Sequence, residues 1–172
     1  SERMLALESL LEDGISPDIL MIGTGCCALT DTVALTRHAI ECGVAKILAL
    51  PPFYYKNVTD NGLFRSFAEV IERTASDDLE LYLYHFPAMS QTPISVGLIE
   101  MLCENYPKAI AGIKDSSGDL DHSLELAFRF PDLAIFPGNE IHLLPSLEQG
   151  CAGCISATAN ANANGINGNG SW

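Results

Sequence analysis

Basic side chains are scarce in this chain. Nine lysines and arginines stand against 22 aspartates and glutamates, for a formal net charge of -13. A surface of that sign repels phosphate backbones and anionic headgroups, which excludes nucleic acid or an anionic membrane surface as partner. Long apolar runs are missing too. No uninterrupted stretch approaches the roughly 20 residues that cross a bilayer. The opening Ser1-Glu2-Arg3-Met4 does not read as a secretory signal. No G-x-G-x-x-G follows the first apolar segment, so a dinucleotide fold has no support. Cysteines are present, six of them, but not as the framework of a small secreted domain, since Cys26 and Cys27 are adjacent. They read as reduced thiols, which fits the cytoplasm. Cys151 and Cys154 have C-x-x-C spacing. With no second pair, and with Gly153-Cys154-Ile155-Ser156 reading as a strand, no zinc or redox chemistry is expected there.

What remains is a chain with 48% hydrophobic residues and 18% charged ones, long enough for one domain with a real core. Apolar periodicity predicts helices over 2–11, 31–42, 62–74, 95–104, 120–128 and 141–149. Strands are expected over 19–22, 46–50, 79–84, 109–113, 133–136 and 151–156. Near-continuous apolar strands alternating with helices indicate a parallel α/β fold buried on both faces. The polar residues decide between an open sheet and a barrel. Gly23-Thr24-Gly25, Tyr54-Tyr55, Tyr84-His85, Lys114-Asp115, Gly138-Asn139-Glu140 and Ser156-Ala157-Thr158 all fall where strands end. Chemistry spread over many strand ends is the pattern of a (β/α)8 barrel. Eight units take about 250 residues, so six strands in 172 residues make the barrel incomplete. Two strands before the first helix and the C-terminal helices are expected to be missing. Residues 1–158 are expected to form the partial barrel. Residues 159–172, rich in Asn and Gly, are expected to be a low-complexity tail outside the fold.

The most informative residue is Lys114, which closes the apolar run Ala109-Ile110-Ala111-Gly112-Ile113. An amine among apolar walls loses part of its charge preference, because desolvation disfavours the ammonium form. A neutral amine there can attack a ketone and form a Schiff base.

In this order, Pro51-Pro52-Phe53-Tyr54-Tyr55, Leu83-Tyr84-His85-Phe86-Pro87, the segment from Gly112 through Lys114 to Asp119, and the segment from Gly153 to Asn160 resemble four motifs of one family. This is the dihydrodipicolinate synthase / N-acetylneuraminate lyase family. The resemblance implies a (β/α)8 barrel with a small helical extension. It implies a lyase that makes or cleaves a carbon–carbon bond with pyruvate as donor or product. The imine forms on lysine, with no cofactor and no metal. Partners would be pyruvate plus an aldehyde, or the corresponding 2-keto acid, and further copies of the chain in a tetramer or dimer.

By the same resemblance Lys114 is the Schiff-base lysine, Tyr84 the proton relay, and Tyr54 either a relay helper or a stacking surface across a subunit contact. Gly138 and Ile155 would meet substrate through backbone groups. Asn139 and Glu140 would face substrate hydroxyls or stand as solvated loop polars. Met89 occupies the position where dihydrodipicolinate synthases place an arginine. A thioether cannot grip a carboxylate with two hydrogen bonds, so a true synthase is not expected. His85 replaces an asparagine and reads as a hydrogen-bonded core histidine. The family's G-[ST]-T-G-E segment, which binds pyruvate's carboxylate, is absent. The chain as written is therefore expected not to complete an active site alone. Alternatives on the same imine chemistry are a hydratase or hydratase-aldolase; outside catalysis, an inactive fragment or paralogue.

Overall fold

The computed structural model describes residues 1–166. The chain forms two compact units, Ser1–Ala111 and a second beginning at Gly112. Every strand pairing within them is parallel.

The first unit holds α1 (Glu2–Glu12), β1 (Met21–Gly23), α2 (Leu29–Glu41), β2 (Lys46–Ala49), α3 (Asp60–Thr74), β3 (Glu80–His85), a single turn α4 (Pro87–Ser90) and α5 (Val96–Asn105). β1 pairs with β2, and β2 with β3, in a register that sets Leu48 against Tyr82 and Ala49 against Leu83. Period-2 alternation sends Ile47, Ala49, Leu81 and Leu83 to a face with at most 1% exposure. Leu63, Phe67 and Val70 of α3 and Leu98 and Leu102 of α5 are buried as well. Burying a Leu or Phe side chain stabilises by about 1.5–3 kcal/mol. Thr59 caps α3 by accepting the Gly62 N–H, and Ser95 caps α5 by accepting that of Leu98. α1 is tied to α2 by His38 Nε2 on Glu8, at 2.8 Å.

β4 (Ile110–Asp115) starts in the first unit and continues into the second, where α6 (Leu120–Arg129), β5 (Ala134–Pro137), α7 (Leu143–Leu147) and α8 (Ala159–Ile166) follow. β4 pairs with β5, placing Gly112 opposite Ala134 and Lys114 opposite Phe136. Ile113 and Ile135 are fully buried, and Leu126 of α6 nearly so. Asp119 caps α6, accepting from the N–H groups of Asp121 and His122.

Three expectations need correction. The described residues hold five strands, not six. Residues 151–156 run beside β5 through two bonds, Ala152 N–H to Ile135 and Ile155 N–H to Pro137, without a continuous ladder. The predicted helix over 141–149 is instead a 3-10 turn, Glu140–His142, followed by α7. Finally, Ala159–Ile166 is helical with a break at Asn162 (φ -142°, ψ 48°), although its sequence reads as shapeless. Residues 167–172, the rest of that stretch, lie outside the described residues.

Candidate active site

Lys114 is the penultimate residue of β4. Alternation puts Gly112 and Lys114 on one face and Ile113 and Asp115 on the other. The lysine is half-buried beside Phe136 across the ladder, while Asp115 is 2% exposed. The strand therefore presents an amine on one side and a buried carboxylate on the other at adjacent positions.

The Asp115 carboxylate accepts from Ser123 Oγ at 2.6 Å, His122 Nδ1 at 2.9 Å and the Ser117 N–H at 3.0 Å. Burial alone would push this carboxyl up. The hydrogen bonds from His122, Ser123 and Ser117 outweigh it and hold the group at about 2, against an ordinary 3.8. The bond to Asp115 raises the His122 imidazole, and burial only partly opposes it. A carboxyl depressed in the folded state lends stability above its unfolded value and loses it as pH falls through the folded one. About 2 kcal/mol of stability is thus expected to vanish between about pH 4 and pH 2. His122 works in the opposite sense: its contribution is complete below its ordinary 6.5 and lost as pH rises through its higher folded value. Urea melts across this range should show the acid-side loss, and Asp115→Asn should flatten it. An unchanged acid limb in that variant would contradict the assignment.

Glu140 follows β5. Its carboxylate accepts the Ser156 hydroxyl, and that bond, helped by its own backbone N–H and by Thr158, holds it below the usual range. Burial pushes the Cys154 thiol up, the Glu140 charge adds to this, and the Lys114 ammonium opposes it. Cys154 is therefore within electrostatic reach of both Glu140 and Lys114. Cys154 was not anticipated as a site residue. Its C-x-x-C spacing with Cys151 suggested no chemistry; its charge environment is what links it to Lys114.

Asn139 is turned to local work, its side-chain oxygen capping the Ile141 N–H. Gly138 lies so close to Ser116 that an added Cβ would stand 2.3 Å from Ser116 Oγ. The Gly138 N–H already donates to Asp115 O, and the Ile155 N–H to Pro137 O. Contact from either position to a ligand would therefore come through its carbonyl oxygen.

In the first unit Tyr84 is penultimate in β3, as Lys114 is in β4. It shares a strand face with Tyr82 and is half-buried, its ring stacked on Phe86 (centroids 5.6 Å, planes 21° apart). Next to it His85 is buried, with Nδ1 accepting the Ile94 N–H at 3.1 Å, as a core histidine does. Tyr54 and Tyr55 stand 74% and 76% exposed and edge-on to each other. With Cys27, Ala28, Pro52 and Val58 they line a depression of about 410 Å³. Met89 is also exposed, on the α4 turn. Lys56 joins these two loops by donating to the carbonyls of Phe53 and Ser90. No sequence signal marked that bridge. Thr24 is fully buried and accepts from Thr36 Oγ1 at 3.0 Å, a packing role.

The dihydrodipicolinate synthetase family model matches residues 15–168. The chain belongs to this family. A DapA-like lyase of Chloroflexus aurantiacus, itself uncharacterised, is 37% identical over 161 residues, which is 94% of this chain and 53% of that protein. The crystal structure of dihydrodipicolinate synthase from Agrobacterium tumefaciens superposes with a TM-score of 0.91 at 32% identity, over 96% of this chain and 57% of that one. YagE, a prophage protein of the family from E. coli K12 solved with pyruvate, gives 0.81 at 27% identity, over 95% and 53%. The chain thus spans about half the length of these relatives. Its fold is the family's α/β barrel, present in part.

Proposed function

We propose that the natural protein carrying this chain is a class I aldolase or lyase of the dihydrodipicolinate synthase family, with Lys114 forming an imine to pyruvate. The amine adds to the ketone carbon, and loss of water leaves an iminium. Loss of a methyl proton from that iminium gives an enamine, which adds to an aldehyde; cleavage runs the same steps backwards. Tyr84 is the phenol that accepts and returns protons at the lysine. Tyr54 assists it or stacks across a subunit contact, and the exposed Tyr54–Tyr55 pair fits an oligomeric protein, a tetramer or dimer. Glu140, with Asn139 beside it, would face the hydroxyls of the aldehyde-derived half. The acidic surface and reduced thiols fit a cytoplasmic enzyme.

The observation that carries this proposal is the placement of Lys114: a half-buried amine beside Phe136 at the end of a parallel strand, within Gly112-Ile113-Lys114-Asp115-Ser116-Ser117-Gly118-Asp119. An enamine must form even without an aldehyde, so the protein should exchange pyruvate's methyl protons for solvent deuterium. Proton NMR of pyruvate in D2O reads this directly. No exchange above a protein-free control would end the proposal.

Met89 sets a limit on the second substrate. Aspartate semialdehyde carries a carboxylate, and a charge-assisted contact to it is worth about 1.5–3 kcal/mol. Its loss is expected to lower kcat/KM by about 10- to 150-fold, and Met89→Arg should recover part of that. A coupled synthase assay checks both. Robust synthase activity in the parent, lost on changing Met89, would show that this side chain serves the synthase reaction.

A further inference from the structure

One carboxylate organises everything next to Lys114. Asp115 Oδ2 takes the His122 and Ser123 bonds, both from the first turn of α6. Its Oδ1 takes the Ser117 N–H in the turn between them. Its carbonyl takes the Gly138 N–H from the loop after β5, at 2.7 Å. Ser116, between these contacts, packs on Gly138 with no room for a Cβ. A strand end needs none of this for packing alone, since an apolar residue would fill the same space without the desolvation penalty of a buried charge.

We propose that Asp115 is a positioning residue for the Lys114 amine. Asp115 and Lys114 share one planar peptide. Holding the Asp115 side chain on one side and its carbonyl, in the following peptide, on the other pins the Asp115 Cα at one corner of that plane, and so restrains the direction of the Lys114 Cα–Cβ bond on the opposite face. Three segments, the end of β4, the start of α6 and the loop after β5, converge on the residue that does this. A nucleophile held through its neighbour loses reactivity when that neighbour relaxes, because small misplacements of a reacting group carry large rate penalties. This rests on Lys114 being the imine-forming lysine.

The test is made in the natural protein with Asp115→Asn and Ser123→Ala, using pyruvate methyl exchange per folded molecule. Asp115→Asn keeps the shape but replaces one acceptor oxygen with a donor. It is expected to lower kcat about 10- to 100-fold, with the KM for pyruvate moving less than about threefold. Ser123→Ala, which removes one of three donors, should show a smaller fall of the same kind. A purely structural carboxylate would lower the melting temperature and leave kcat per folded molecule at the parent value, which would overturn the proposal. Should Asp115→Asn not fold, the same split in Ser123→Ala decides. A parent protein that exchanges no pyruvate protons would overturn the functional proposal and this one with it. A parent that exchanges, with variants of equal kcat, would overturn this one alone.

Discussion

Lys114→Ala is expected to reduce turnover and pyruvate proton exchange to background while leaving the protein folded. The nucleophile is the only group that can hold pyruvate covalently in the proposed mechanism. Its removal leaves whatever rate binding alone supplies, a loss of at least about a thousandfold. Stability should hardly change. Lys114 is half-buried on the face away from Ile113, and truncating it opens no cavity in the packed layer formed by Ile113, Ile135 and Leu126. Kinetics and a urea melt on the same preparation separate the two effects. Turnover within tenfold of the parent would remove Lys114 from the mechanism.

Tyr84→Phe is the second large effect. The ring should keep its stacking on Phe86, since only the hydroxyl is lost. Removing a proton relay typically lowers the rate about 10²- to 10⁴-fold. The fall should appear in imine formation and in proton exchange alike, because in the proposed mechanism the phenol serves both. Rapid-quench trapping of the imine, compared with steady-state exchange, checks this. A kcat within about threefold of the parent would make Tyr84 a packing residue at a strand end.

Much of the fold was legible because its signals are local. The apolar runs around Ile47, Leu81, Ile113 and Ile135 fixed four strands, and Ser95 marked the start of α5 correctly. The segment after Gly150 misled for a physical reason. Cys151 to Ser156 has strand-like side chains, but only two of its N–H groups reach β5, so it follows the strand without joining the ladder. Asn160, Asn162 and Asn164 suggested a shapeless tail. The alternating alanines, the best helix formers, carry a helical stretch that breaks at Asn162.

The candidate site divides the same way. The positions of Lys114 and Tyr84 near the ends of apolar strands were legible, and both are penultimate in their strands; Met89 stood out only through the family resemblance. The Asp115 network could not be found so. His122 and Ser123 are seven and eight residues away. Only the fold of the turn and the capping of α6 by Asp119 bring them back to the strand end. Lys56 and Cys154 were hidden likewise, since a lysine bonded to carbonyls and a thiol between two opposite charges leave no pattern in the chain.

Borohydride reduction of the protein in the presence of pyruvate, followed by peptide mapping, tests the central claim most directly. The account predicts a stable pyruvate-derived adduct on the peptide that contains Lys114, and none when pyruvate is omitted. An adduct on another lysine, such as Lys108 or Lys46, or no stable adduct at all, would contradict it.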